Sequence, residues 1–117
     1  MNEREHEWIN KLLKVDFLGK EILIRQLERA KIQYIQEYSF ISIKFKVEGC
    51  VELFPYCVRV PVEMKLFQSS ITPIVFLLHV INGIIDELEI ITADLSYINP
   101  DQFCMDKIDY AVDKKLI

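Results

Sequence analysis

Residues 74–91 read Ile74-Val75-Phe76-Leu77-Leu78-His79-Val80-Ile81-Asn82-Gly83-Ile84-Ile85-Asp86-Glu87-Leu88-Glu89-Ile90-Ile91, two apolar runs on either side of Asn-Gly. Asn-Gly is the preferred filling of a two-residue type I′ turn, because both positions of that turn need a positive φ. The segment therefore predicts a tight antiparallel hairpin that closes at Asn82-Gly83.

Regular pairing outward from this turn predicts the register of the hairpin. Ile81 is expected to face Ile84, and His79 is expected to face Asp86. One face then carries the His79/Asp86 pair with Val75, Leu77, Ile81, Ile84, Leu88 and Ile90. The other face carries Phe76, Leu78, Val80, Ile85, Glu87 and Glu89. The first face is the better candidate for packing under helices.

The sequence before residue 32 predicts two helices. Between Glu3 and Lys14 the apolar residues recur at helical spacing, at Trp8, Ile9, Leu12 and Leu13. Asp16 is expected to accept hydrogen bonds from free amides at the start of the second helix. The apolar stripe of that helix continues to about Lys31.

A period of two replaces the helical period after residue 32. It predicts strands over residues 32–38, over residues 41–47 and over residues 57–64. Pro61 lacks an amide donor, which places the third of these strands at a sheet edge or a bulge. Residues 99–115 fit a helix that starts at Pro100 or a strand through Ile108, Tyr110 and Val112, and both interpretations stay open.

The order of these elements predicts a single α+β domain over residues 1–117, with two N-terminal helices followed by a four- to five-stranded antiparallel sheet. The chain has 117 residues, of which 51% are hydrophobic and 27% charged. This length and composition are enough to bury one core.

Charge and cysteine content indicate the cellular setting. A net charge of −4 argues against nucleic acid as a partner, because phosphate binding needs clustered Lys and Arg. The longest apolar run, residues 74–81, is far short of the roughly 20 residues that span a bilayer, and the charged start of the chain does not resemble a signal peptide. The sparse thiols of Cys50, Cys57 and Cys104 are expected to be reduced. We therefore expect a cytoplasmic protein without a membrane partner.

Several stretches resemble an uncharacterised family of small bacterial proteins with an LLHVxxG…ELEI hairpin. They are Leu12-Leu13-Lys14-Val15-Asp16-Phe17-Leu18-Gly19 with Leu27, Val60-Pro61-Val62-Glu63, Leu77-Leu78-His79-Val80-Ile81-Asn82-Gly83 and Glu87-Leu88-Glu89-Ile90. The resemblance covers roughly residues 9–98 and implies a fold, not an activity. The chain departs from the family at Leu18, where relatives have Pro, and at Leu95, where many have Gly. Proteins of this size and composition also occur as immunity partners of bacterial toxins.

The candidate ligand-binding residues are His79, Asp86, Glu63, Glu87 and Glu89. A carboxylate that faces His79 can fix the imidazole tautomer, as in acid/base sites, or the two side chains can simply satisfy each other. The three glutamates can form a cation-binding cluster or a solvated acidic face. Because the predicted register puts His79 and Glu87 on opposite faces, it disfavours a shared metal site.

Common catalytic and cofactor motifs are absent from the sequence. The glycines Gly19, Gly49 and Gly83 are isolated, so there is no phosphate-binding loop. Gly-x-Ser-x-Gly, His-Glu-x-x-His and Cys-x-x-Cys do not occur, and Cys50 and Cys57 are too far apart for a typical zinc pair. We therefore predict no catalytic residue, no metal and no cofactor.

The sequence favours a non-catalytic cytoplasmic module that binds another protein, a toxin among the candidates, or a second copy of itself. Five aromatic residues near strand ends or loops fit such a surface, although each one alone is better explained by packing: Tyr38, Phe40, Phe54, Tyr56 and Phe67. The alternative is a small-molecule or metal-binding protein with weak or no enzymatic activity that uses His79, Asp86 and the glutamates.

Overall fold

The computed structural model describes residues 3–37, 40–67, 72–92, 94, 98–100, 103 and 105–117. Within them the elements are α1 (Glu3–Leu12), α2 (Lys20–Glu28), β1 (Ala30–Glu37), β2 (Ile41–Val47), β3 (Val62–Leu66), β4 (Ile74–Ile81), β5 (Ile84–Thr92), β6 (Ile108–Val112) and a final 3-10 turn, Lys114–Leu116. The strands form one antiparallel sheet in the order β1-β2-β5-β4-β3-β6. The α+β class is confirmed, but the described sheet has six strands and not four or five.

The two helices are close to their predicted positions. The start of α1 at Glu3 is confirmed, whereas α2 is shorter than predicted at both ends. Asp16 does not cap α2, because the N-cap is Gly19, with φ of 83°, and Asp16 instead binds the Lys20 ammonium group at 2.8 Å. A Cβ at Gly19 would lie 2.5 Å from the ring of Phe54, so this position also needs glycine for space. No helix in the described ranges is long and apolar enough to cross a membrane.

The strand near Pro61 is not an edge strand, contrary to the sequence-based expectation. It begins at Val62, and it lies between β4 and β6. Pro61 itself lies just outside β3, where its missing donor costs no ladder bond, and its carbonyl accepts from the N–H of Asp113 at 3.0 Å. The expectation fails because residues 108–112, whose structure the sequence left open, form the neighbouring strand.

The turn of the β4–β5 hairpin is confirmed, but the register beyond it differs from the prediction. Asn82 has φ of 53° and Gly83 has φ of 79°, and Ile81 faces Ile84. From His79 onward the pairing shifts, so that His79 faces Glu87 and Asp86 is an extra residue in β5. Such a bulge twists the pair and reverses the alternation of faces beyond it.

The helices cover the other hairpin face from the one predicted. The buried side chains of β4 and β5 include Phe76, Leu78, Val80, Ile85, Leu88 and Ile90. Phe76, the largest of these side chains, determines which face is covered. It packs edge-to-face against Trp8 of α1, with ring centroids 5.9 Å apart. Only Leu88 and Ile90 of the predicted core face are buried, since the bulge turns them to the side of the helices.

A fully buried glutamine joins α2 to the hairpin. Gln26 is 0% exposed, and its Nε2 donates to the carbonyl oxygens of Glu52 at 2.9 Å and of Gly83 at 2.8 Å. Its Oε1 accepts from the backbone N–H of Ile85 at 2.9 Å. A buried amide is costly unless it is hydrogen-bonded, and this one has partners for both of its ends. Gln26 therefore holds α2, residues 48–61 and the hairpin turn together.

Replacing Gln26 with Ala is expected to lower the free energy of unfolding by about 2–4 kcal/mol, because it leaves a cavity and buried backbone groups without partners. Urea denaturation followed by circular dichroism measures the change. Gln36→Ala, at an exposed position of β1, is the matched control and should change stability by less than about 0.5 kcal/mol. A loss below about 1 kcal/mol for Gln26→Ala would contradict the role of the three hydrogen bonds.

Candidate functional site

The face of the sheet turned away from the helices carries the candidate ligand-binding residues and their partners. We call this surface the polar sheet face; it comprises Ser42, Lys44, Arg59, Glu63, His79, Asp86, Glu87 and Glu89. The strands β2, β5 and β4 lie side by side here, with Arg59 of the chain that precedes β3 next to them. The polar sheet face is thus built mainly from central strands.

The bulge in β5 brings two consecutive carboxylates to the polar sheet face. The Lys44 ammonium group lies 2.9 Å from Asp86 Oδ2 and 3.3 Å from Glu87 Oε1. The hydrogen bond with Asp86, opposed by desolvation and supported by the charge of Glu87, raises the pKa of Lys44 above its usual value. Glu87 also accepts a short hydrogen bond from the hydroxyl of Ser42. The carboxylates of Asp86 and Glu87 are therefore compensated by their neighbours.

His79 lies between an arginine and a glutamate. Its Nε2 is 3.0 Å from Glu89 Oε1, and its Nδ1 is 3.3 Å from Nε of Arg59. An arginine can only donate, so Nδ1 must accept, and the proton must lie on Nε2, where it is donated to Glu89. The predicted His79/Asp86 pair is wrong, because the bulge moves Asp86 to Lys44 and leaves Glu89 as the carboxylate partner of His79.

The structure brings the predicted ligand set onto one face without gathering it into one site. His79 and Glu87 lie directly opposite each other, although the sequence predicted opposite faces. Glu63 is separated from Glu89 by Leu77, which faces both of them across the ladder. Within the described ranges, no group of three or more His, Cys, Asp or Glu side chains is arranged to hold a metal ion.

The contacts of His79 favour a structural role over a catalytic one. Both ring nitrogens are engaged in contacts with protein side chains, and the side chain is only 12% exposed. General acid/base catalysis needs a ring nitrogen within hydrogen-bond reach of the reacting proton. We therefore interpret the contacts of His79 as positioning of its neighbours Arg59 and Glu89.

The predicted thiol and aromatic positions lie in different environments. Cys50 and Cys57 are free and exposed, and Cys104 lies outside the described residues. Phe54 is buried and packs edge-on against Tyr56 with ring centroids 5.3 Å apart. Phe67 is exposed and Phe40 is partly buried, while Tyr38 lies outside the described ranges. The aromatic residues therefore do not form one described surface.

Sequence reasoning missed Ser42, Lys44 and Arg59 as members of this network. A signal for the bulge was present in the adjacent acidic residues Asp86 and Glu87. Strict alternation would bury one of these two carboxylates, whereas a bulge exposes both. For Arg59 the sequence holds no comparable signal, because its contact with His79 depends on how the chain enters β3.

Comparisons with protein-family models, with curated proteins and with solved structures find no match. The resemblance of the hairpin to a family of small bacterial proteins therefore stays a prediction.

His79→Ala is expected to lower the free energy of unfolding by about 1–2 kcal/mol, because it removes two hydrogen bonds and packed volume. The other histidine, His6, is exposed on α1 and provides the matched control. His6→Ala should change stability by less than about 0.5 kcal/mol in the same denaturant titration. Equal stability of the two variants would show that the contacts of His79 are not structural.

Lys44→Met is expected to lower the free energy of unfolding by about 1 kcal/mol at pH 7 to 9. A lysine whose pKa is raised in the folded state stabilises fully below its unfolded pKa, and the effect is lost as pH rises through the folded pKa. The difference between parent and variant should therefore shrink above about pH 10.5. Burial also raises the pKa of Tyr110. Tyr110 is present in both proteins, so its contribution cancels in the difference between parent and variant.

Lys46→Met, on the same strand and exposed, is the control for this pH profile. It should cost less than about 0.5 kcal/mol at every pH. Denaturation midpoints measured between pH 7 and 11 give both curves. A Lys44→Met deficit that grew as the solution became more alkaline would contradict the assigned ion pairs.

Proposed function

We propose that this chain is a non-catalytic protein-interaction module that binds an extended strand of its partner along the outer edge of β1. The observation that carries the proposal is the position of β1, an eight-residue strand at one end of the described sheet with β2 on its inner side. The outer side of such a strand presents backbone donors and acceptors with which another strand can pair.

The side chains of β1 support the same surface. Tyr34 is 46% exposed and Ile35 is 39% exposed. Tyr34 faces Lys44 and extends the polar sheet face, whereas Ile35 faces Ile43 on the helix side. An added strand would cover one apolar side chain on each face, and this burial would contribute about 1 kcal/mol for each.

The opposite edge of the sheet is less suited to an added strand. β6 has only five residues, against eight in β1. The chain that follows it is fixed close by, because the N–H of Asp113 binds the carbonyl of Pro61 and Leu116 is buried. We therefore place the contact at β1.

Part of β1 carries features that discourage pairing. The register is irregular between Ile32 and Tyr34, and Lys31 precedes this irregularity. Bulges and lysines are common protections of sheet edges. The regular segment available to a partner is therefore residues 34–37, which is enough for a short strand of another protein, such as a toxin, or of a second copy.

A site built on His79, Asp86 and the glutamates is the weaker alternative. Asp86 and Glu87 are bound by Lys44, and Glu89 is bound by His79. A ligand or metal would have to displace these contacts before it gained its own.

Ile35→Lys tests the proposal, because it places a charge in the pairing segment at a position that is already exposed. Association is measured by native mass spectrometry and light scattering for the chain alone, and by cross-linking and affinity capture from extract of the source cell. The parent should form a dimer or retain a partner cross-linked to residues 34–37. Ile35→Lys should weaken that association at least about tenfold.

Leu53→Lys is the matched control, because Leu53 is an exposed apolar residue outside the sheet. This variant should associate as the parent does. A dimer would identify a second copy as the occupant, and a captured chain would identify another protein. Equal weakening by both substitutions, or a parent that neither dimerises nor retains a cross-linked partner, would contradict binding at β1.

A further inference from the structure

A groove of about 410 Å³ opens between residues 56–59 and residues 80–83 at the turn end of the β4–β5 hairpin. The groove results from the path of residues 56–59 beside β4. The carbonyl of Arg59 accepts from the N–H of Val80 at 2.7 Å, which is the last pairing of this chain with β4. Just before Arg59, the N–H of Val58 binds the carbonyl of Tyr56 at 2.9 Å in a three-residue turn, and such a turn bends the chain sharply. The groove is the resulting gap between residues 56–59 and the turn end of the hairpin.

The inner end of this groove is fixed by backbone contacts. The N–H of Phe54 donates to the carbonyl of Gly83 at 2.9 Å, and the same carbonyl accepts from Gln26. A Cβ at Gly83 would lie 3.0 Å from the carbonyl oxygen of Phe54, so the turn and the loop pack closely. The walls are therefore positioned in the absence of a ligand, as small-molecule sites usually are.

Among the described residues that line the groove, Arg59 is the only charged one. Its Nε donates to Nδ1 of His79, and His79 in turn donates to Glu89, so this series of hydrogen bonds orients the guanidinium group. Its two terminal nitrogens make no hydrogen bond or ion pair with any residue in the described ranges. A planar guanidinium with two available nitrogens matches a carboxylate in a bidentate contact.

The rest of the lining selects among anions. Ile81 and Tyr56, both partly exposed, supply aliphatic and aromatic surface, whereas Val58 and Val80 line the groove but are buried. One positive charge balances one negative charge, and the carboxylate of Glu89 behind His79 disfavours a dianion such as a phosphate monoester. The volume falls in the range of roughly 300–1,000 Å³ that is typical of small-ligand pockets.

We propose that this groove binds a small organic monocarboxylate, with its carboxylate on the terminal nitrogens of Arg59 and its aliphatic or aromatic body against Ile81 and Tyr56. Neither β1 nor a protein partner is involved, so this inference is independent of the proposed function. His79 acts here as a positioning residue for Arg59.

Two exposed thiols make the proposal testable in the intact chain. Cys57 lines the groove, whereas Cys50 is equally free but lies outside it. Alkylation by iodoacetamide is followed at each cysteine by peptide mass spectrometry, with octanoate and 4-phenylbutyrate as probes. At about 5 mM, either acid should slow alkylation of Cys57 at least about threefold and leave Cys50 unchanged. The neutral amides of the two acids should protect neither thiol.

Substitutions of arginine identify the recognition group. Arg59→Gln should abolish the protection of Cys57, and Arg59→Lys, which keeps the charge but loses the planar fork, should weaken it. Arg25→Gln, at an exposed arginine paired with Glu52 outside the groove, is the control and should keep full protection. If Arg59→Gln does not fold, the comparison of Arg59→Lys with Arg25→Gln decides the question.

The proposal is overturned if the acids leave Cys57 unprotected, if the amides protect equally, or if protection survives in Arg59→Gln. The tripeptide Ala-Val-Leu with a free C-terminus tests the other source of a carboxylate. Protection by the tripeptide but by neither small acid would overturn the assignment to a small molecule, because it would identify the C-terminus of a protein as the ligand.

Discussion

The buried carboxamide of Gln26 is the interaction on which the rest of the structure depends. It binds the carbonyls of Glu52 and Gly83 and the N–H of Ile85, and so connects a helix, a long loop and the central hairpin. Apolar packing alone is non-directional and tolerates sliding of a helix over a sheet. A buried amide with three backbone partners does not, because any shift leaves a polar group without a partner.

The bulge at Asp86 is the second determinant, and it decides the chemistry of the exposed face. It turns Leu88 and Ile90 to the core while Asp86 and Glu87 both reach Lys44. The same shift brings Glu89 to His79, which then orients Arg59. The extra residue in β5 therefore links the packing of the sheet to the orientation of Arg59 in the groove. The surface network is a consequence of how the core is filled.

The sequence was sufficient to predict those elements whose structure is determined locally. The Asn82-Gly83 turn follows from backbone sterics, α1 follows from its apolar spacing, and β2 follows from strict alternation. Each of these signals lies within about ten residues. The α+β class follows from the order of such elements.

The sequence was not sufficient to predict the features that long-range packing determines. The register beyond the turn depends on placing Phe76 against Trp8, which no local pattern states. The edge position expected from Pro61 fails because β6, from the other end of the chain, pairs with β3. Gln26 gave no signal, because a polar residue at the border of a helical stripe normally marks an exposed position. The sequence identified His79 and the glutamates as candidate site residues, but it did not predict which side chains bind one another.

Amide hydrogen exchange at Ile85 tests most directly whether Gln26 holds the hairpin to the helix. The N–H of Ile85 lies next to a tight turn, a place where exchange is usually fast through local opening, but it donates to the buried side chain of Gln26. It should therefore exchange only through global unfolding, with an opening free energy within about 0.5 kcal/mol of that for the central amides of β4 and β5. Exchange of Ile85 through local opening, several kcal/mol below the global value, would show that the hairpin turn moves independently of α2 and would contradict this central role of Gln26.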